Sequence, residues 1–156
     1  MLPSIGNLAP EFSLPNQNNE VVRLKDFRGK NNVVVYFYPK AFTLGCTVQA
    51  CGIRDHFHEL KQLNTIVLAI SPDAPPKLKK FDIKYNLNFH LLADENHSIA
   101  DAYGVWGLKK FMGREFTGII RTSFIIDLDG KLLHIFEKVN TKTHHNDIVE
   151  YIKTVL

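Results

Sequence analysis

The chain has 156 residues, a length that favours one domain over two, and its 45% hydrophobic and 22% charged residues give it the material for its own core. Nineteen Lys and Arg against sixteen Asp and Glu leave +3 with no block of like charges, so neither a disordered tail nor a nucleic-acid surface is indicated. The longest apolar run, Val33 to Pro39, is seven residues where a membrane-spanning helix needs ~20.

Met1 to Glu11 lacks a basic start and carries Pro3 and Pro10 where a secretory leader needs an unbroken apolar stretch, so a cytoplasmic protein is expected. Glu11 to Lys30 has short apolar alternation at Phe12 and Leu14 and again from Val21 to Leu24, which fits a β-hairpin. Val33 to Tyr38 is β-branched and aromatic on both alternating faces and predicts a buried central strand, ended by Pro39. From Cys46 to Leu63 the apolar positions Val48, Ile53, Phe57, Leu60 and Leu63 recur mostly three or four apart and predict one helix. A second buried strand is expected at Thr65 to Ile70. Pro75-Pro76 then opens a helix to about Tyr85, an apolar piece spans Phe89 to Leu92, and Ser98 to Tyr103 reads as one or two helical turns. Thr122 to Asp127 and Lys131 to Lys138 flank Asp129-Gly130, a hairpin signal, and a helix with Ile148, Ile152 and Val155 on one face closes the chain. This order is a βαβ unit feeding a ββα unit. It predicts a single α/β domain over residues 1–156 on the thioredoxin-like plan, with a mixed central sheet, helices on both faces and an N-terminal β-hairpin extension.

Two cysteines are too few for a disulfide-stapled secreted fold, and in a reducing compartment a close pair is more often catalytic or metal-binding than structural. Cys46 falls where the central strand turns into the next helix, with Thr43 as a candidate N-cap. Unpaired N–H groups and the positive helix end stabilise an anion there, which suits a thiolate. The competing reading, a buried inert cysteine, fits poorly with a turn rich in Gly, Pro and Thr.

Pro39-x-x-x-Thr43-x-x-Cys46 resembles the active-site signature of the peroxiredoxins, and Cys51 five residues on resembles their bacterioferritin-comigratory (PrxQ) subfamily. The likeness extends from Gly6-Asn-Leu-Ala-Pro-Glu-Phe12 through Ala50-Cys51-Gly52-x-Arg54-Asp55, Leu92-Ala-Asp94 and Ala102-Tyr-Gly104-Val105 to Arg121-Thr-Ser-Phe-x-Ile-Asp127-x-Asp-Gly130-Lys. The resemblance implies a thiol-dependent peroxidase without a cofactor. Cys46 attacks the peroxide and becomes a sulfenic acid, Cys51 condenses with it to a disulfide, and thioredoxin or a similar dithiol reduces that bond. It also implies that Thr43, backbone N–H groups near Gly45 and Arg121 surround the reacting oxygens, that Pro39 shields the thiolate, and that the protein is a monomer. Such donors suit the charge that develops as an O–O bond breaks. Two positions depart from the subfamily, which usually has Asp where Ala41 stands and Pro where Leu44 stands. Leu44 gives up a residue that would fix the backbone at the helix start, so that start should melt more easily.

Another class of reading is a metal-binding module, because Cys46, Cys51, His56 and His58 are four possible zinc ligands close in sequence. Their spacing argues against it: zinc sites favour shorter Cys steps and wider His steps, and His56 and His58 would lie about 200° apart on a helix. A thioredoxin-type disulfide exchanger needs Cys-x-x-Cys, which is missing. His144-His145 read as surface residues or fillers, and Lys77, Lys79 and Lys80 with Lys109 and Lys110 as solvated faces. Trp106, Phe111 and Met112 read as core, with a docking surface for the reductant as the alternative.

Overall fold

The computed structural model describes the backbone of residues 1–156 and every side chain except that of Phe111. Two short strands, β1 (Ser13–Pro15) and β2 (Val21–Arg23), pair antiparallel as the expected N-terminal hairpin. The central strand β3 (Asn32–Phe37) is buried along its whole length, as its apolar run on both faces requires. It is followed by α1 (Leu44–Asp55), α2 (Phe57–Gln62), β4 (Thr65–Ser71), α3 (Pro75–Tyr85), β5 (His90–Ala93) and α4 (Ser98–Ala102). A second hairpin, β6 (Trp106–Phe111) with β7 (Arg114–Ile119), then leads into β8 (Thr122–Ile126), β9 (Leu132–Phe136) and α5 (His144–Val155).

The five-stranded sheet has the order β5-β4-β3-β8-β9, with β3, β4 and β5 parallel and β8 and β9 antiparallel. Alternation along β3 divides the core. Val34 and Tyr36 face one layer with Ala50 and Ile53 of α1, Leu60 of α2, Phe81 of α3 and Ile148 and Ile152 of α5. Val33, Val35 and Phe37 face another made by Phe12, Leu14 and Val22 of the N-terminal extension, Ala100 of α4, and Tyr103. Each of the buried Val, Leu, Ile and Phe side chains among these contributes about 1.5–3 kcal/mol of transfer free energy. Among the described residues, no helix is long and apolar enough to cross a membrane.

Three expectations are corrected here. The single helix over Cys46 to Leu63 is two, because the chain breaks at His56, whose N–H bonds to Ile53 O at 3.1 Å while its ring Nδ1 takes the Gly52 carbonyl at 2.9 Å. The stretch expected as core beside Lys109-Lys110 is the protruding β6–β7 hairpin. Met112 lies at its tip with positive φ and is 88% exposed and the Phe111 side chain lies outside those described, whereas Trp106, half-buried, keeps its core contact against the layer of Val33, Val35 and Phe37 and stacks on His97 with ring centroids 3.9 Å apart. Lys109 is half-buried rather than a solvated face, and burial together with the nearby Arg121 lowers its ammonium below the usual lysine range.

Candidate active site

The strand-to-helix turn after β3 is held from three sides. Tyr38 N–H continues the β3–β4 register to Ile70 O at 3.1 Å, and Pro39 follows, half-buried. The Ala41 N–H donates to Asp73 Oδ2 at 2.8 Å, an oxygen that also accepts from Ser71 Oγ at 2.9 Å, while Lys77 pairs with Asp73 Oδ1 at 3.2 Å. Phe42 has φ +70°, costly for a residue with a Cβ, and its ring is seated against Phe81 of α3 at 5.1 Å between centroids.

Thr43 stands at the N-cap of α1 with extended backbone, φ −70° and ψ 153°. Its hydroxyl makes no cap hydrogen bond and instead donates to Lys40 O at 2.8 Å, so the cap position matches the expectation and the capping bond does not form. That geometry occupies the hydroxyl proton and leaves the oxygen free to accept. The first-turn N–H groups of Leu44, Gly45 and Cys46 precede the first intrahelical bond, from Thr47 N–H to Thr43 O at 2.9 Å, and point outward from the helix start.

Cys46 lies in that first turn and is 2% exposed, which overturns the expectation that such a turn would leave it open. Its surroundings are nevertheless not those of an inert core thiol. Arg121, just before β8, reaches across and places Nη2 3.2 Å from Cys46 Sγ, while Nη1 donates to Gln49 Oε1 at 2.6 Å. Gln49 is itself 1% exposed and lies one turn beyond Cys46 on the same side of α1, so the guanidinium is clamped between the helix and the sheet. Below the sulfur, Tyr36 and Tyr38 are fully buried, and burial pushes both phenols far above their ordinary range, so they are neutral. The guanidinium is the cation in contact with the thiol, with the Lys109 ammonium also acting on it, a setting that favours negative charge on sulfur or on an oxygen bound next to it.

The structure brings Thr43, Cys46 and Arg121 together at one end of the sheet. Cys51 sits further along α1, half-buried, and both cysteines are free. Gln49 and Asp73 were missed in the sequence. The three-residue step from Cys46 was a usable signal for the first, whereas the second depends on how the β4–α3 loop lies against the Pro39–Phe42 turn. The histidine pair is also corrected. His144 is 1% exposed, with Nε2 2.7 Å from Ser123 Oγ, and burial with the nearby Arg121 lowers its pKa to about 4; His145 packs on Gly52.

The four proposed zinc ligands do not converge: Cys46 faces Arg121, His56 Nδ1 is spent on Gly52 O, and His58 is exposed on α2. Among the described residues no group of three or more His, Cys, Asp or Glu is placed to hold a metal ion. A cavity of about 440 Å³ lies away from the thiol, between the β1–β2 turn, α2 and the start of β5. The buried Gln17 on its wall has its side-chain amide bonded to Asp82, Phe89 O and Leu91 N–H.

A thiol presented at a strand-to-helix turn under an arginine, on a mixed sheet with helices on both faces, defines a cysteine-dependent protein of the thioredoxin-like fold. Residues 5–135 match the model of the AhpC/TSA family. The chain is 53% identical over 148 residues to peroxiredoxin Bcp of Escherichia coli (strain K12), covering 95% of this chain and 94% of that protein. It is 41% identical to peroxiredoxin Bcp of Bacillus subtilis (strain 168), covering 98% and 97%. The solved structure of peroxidoxin BcpB from Mycobacterium tuberculosis superposes with a TM-score of 0.86 at 29% identity, covering 97% of each chain. The chain belongs to the AhpC/TSA family, on its Bcp/PrxQ peroxiredoxin branch.

Proposed function

We propose that this protein is a thiol-dependent peroxidase in which Cys46 is the attacking thiol, Cys51 the resolving thiol, and Arg121, Thr43 and Pro39 the residues that shape the reaction. The observation that carries the assignment is the 3.2 Å approach of Arg121 Nη2 to Cys46 Sγ across 75 residues of sequence. The sulfur anion attacks one peroxide oxygen, and the O–O bond breaks. The other oxygen leaves as alkoxide or hydroxide and takes a proton, and Cys46 becomes a sulfenic acid. The guanidinium and the N–H groups of Gly45 and Cys46 in the first turn of α1 stabilise the oxygen that gains charge. The Thr43 oxygen, its own proton directed to Lys40 O, accepts a hydrogen bond from the bound peroxide, whose hydrogen stays on the oxygen that becomes the sulfenic acid, and Pro39 keeps water from the sulfur. Cys51 sulfur then displaces the sulfenic hydroxyl, which leaves as water, and the resulting disulfide is returned to two thiols by two electrons from a dithiol of the thioredoxin kind.

Membership of the family supports a peroxide substrate and a thioredoxin-type reductant. The finer reading is of one domain acting as a monomer in the cytoplasm on hydrogen peroxide and organic hydroperoxides, with neither nucleic acid nor membrane as partner. Two variants test the roles. Cys46→Ser should lose all peroxide turnover with its fold retained, and measurable peroxidase activity in it overturns the assignment. Cys51→Ser should still consume one equivalent of peroxide but stop at the sulfenic acid, open to further oxidation, as read by mass spectrometry. Normal cycling of Cys51→Ser with thioredoxin would assign resolution to another thiol.

A further inference from the structure

Gly52, immediately after Cys51 in α1, has no room for a side chain. A Cβ built there would fall on Nδ1 of His145, and 2.9 Å from its Cε1. His145 lies in the first turn of α5, so an imidazole of one helix is seated in a notch of the other. A second imidazole closes on the same residue. Because the break at His56 turns its N–H to Ile53 O, the Gly52 carbonyl is left for His56 Nδ1, which donates to it at 2.9 Å. The rings of His56 and His145 are 4.6 Å apart between centroids and tilted by 35°. His145 Nδ1 is enclosed without a hydrogen-bond partner, and burial and the neighbouring His56 lower the ring's affinity for a proton, so the seated form is the neutral one.

These contacts bear on the second step of the reaction. Five residues along a helix separate Cα atoms by about 8.7 Å, whereas a disulfide needs about 4.4–6.8 Å. With Cys46 and Cys51 both inside α1, the bond closes only after the turn between them unwinds, and unwinding through Gly52 must draw it out from under His145.

We propose that His145, seated in the Gly52 notch and backed by His56, is a positioning residue that clamps the Cys51 segment in its helix and so sets the rate of disulfide formation, leaving the peroxide step untouched. The inference rests on the assignment of Cys46 as attacking and Cys51 as resolving thiol, and concerns only the conversion of the sulfenic acid to the disulfide. The step it governs is balanced: one S–S bond forms, the S–O bond of the sulfenic acid breaks, water leaves, and no further oxidant enters.

The experiment is a single turnover of the reduced full chain with one equivalent of hydrogen peroxide, quenched at intervals with a thiol-blocking reagent and read by mass. It separates loss of the Cys46 thiol from formation of the disulfide. His145→Ala should form the disulfide about three- to tenfold faster, with Cys46 oxidation within about twofold of wild type. His145→Gln, which refills the notch with a flat amide, should bring the disulfide step back towards the wild-type rate. The sharper readout is the sign of Gly52→Ala. In the wild-type background its Cβ evicts His145 and speeds disulfide formation; in the His145→Ala background the same change only strengthens the helix and slows it. Equal signs in the two backgrounds, or a disulfide step unmoved by both His145→Ala and Gly52→Ala, overturn the clamp. A wild-type chain that consumes no peroxide, or never joins Cys46 to Cys51, overturns instead the assignment on which the clamp stands.

Discussion

Arg121 faces two demands at once: one edge of its guanidinium points at sulfur and the other is tied to Gln49. A planar fork satisfies both, and a lysine could satisfy only one. Arg121→Ala should therefore lower the second-order rate of Cys46 oxidation by about 10²–10³-fold, the usual scale for removing one preorganised donor. Gln49→Ala, which leaves the cation but frees its far edge, should cost about tenfold or less. Stopped-flow oxidation of each reduced variant reads these rates, and an unchanged rate in Arg121→Ala would make Arg121 a structural residue. The proximity of Arg121 to Cys46 was available from the sequence only through family resemblance, since nothing in a strand-start arginine says which helix it will meet. His144 and His145 were misread for a related reason. Their burial is decided by Ser123 on β8 and by a notch at Gly52, both remote in sequence.

At the scale of elements, α1 carries both cysteines and is the part of the fold that the proposed Cys46–Cys51 disulfide requires to change. It opens at Leu44, which is 83% exposed and lacks the backbone restraint that proline gives a first helical position. Oxidation should convert the stretch from about Thr43 to Gly52 from helix to loop, so its amides should exchange faster in the disulfide form than in the thiol form. Equal protection in both, with the disulfide verified by mass, would count against the helical placement of the pair. Leu44→Pro should slow disulfide formation about two- to fourfold by stiffening the helix start, at no loss of packing. Legible elements included β3 and β4 from their apolar runs, the β1–β2 hairpin from its short alternation, α3 from Pro75-Pro76, α5 from the spacing of Ile148, Ile152 and Val155, and the β8–β9 turn from Asp129-Gly130. The β6–β7 hairpin was not legible, because β7 is exposed along most of its length. Its turn residues, Met112 and Gly113, both have positive φ in a place where Asn-Gly or Asp-Gly would have announced the turn. The motif Ala102-Tyr-Gly104-Val105 acquires a physical meaning only in three dimensions. Tyr103 Oη donates to Pro10 O at 2.7 Å, and Gly104, at φ +72°, sits where any Cβ would strike the Met1 carbonyl.

For the whole molecule, the polar tie that joins the sheet to the closing helix beside the Ile148 and Ile152 packing is a buried titratable one. His144 at the start of α5 meets Ser123 Oγ on β8, both enclosed, with the Phe136 ring edge-on at 5.4 Å. Burial and the Arg121 cation hold its pKa at about 4 against 6.5 for a free imidazole. Well above pH 6.5 the ring is neutral in both folded and unfolded chains and contributes no pH dependence. Between there and pH 4 the unfolded chain takes up a proton that the folded chain refuses, so stability is fully present above the unfolded value and falls as pH falls. At 1.36 kcal/mol per pKa unit the span is worth roughly 3 kcal/mol, a large share of the ~5–15 kcal/mol that holds a domain together. Urea midpoints from pH 7.5 to 4.5 should thus fall steeply in the wild type and markedly less in His144→Gln, whose amide reaches towards Ser123 but does not titrate. His145, whose proton affinity is lowered too, acts in the same direction, so His144→Gln should remove only part of the slope. Parallel curves for the two proteins would show that His144 is not the group through which acid reaches the fold.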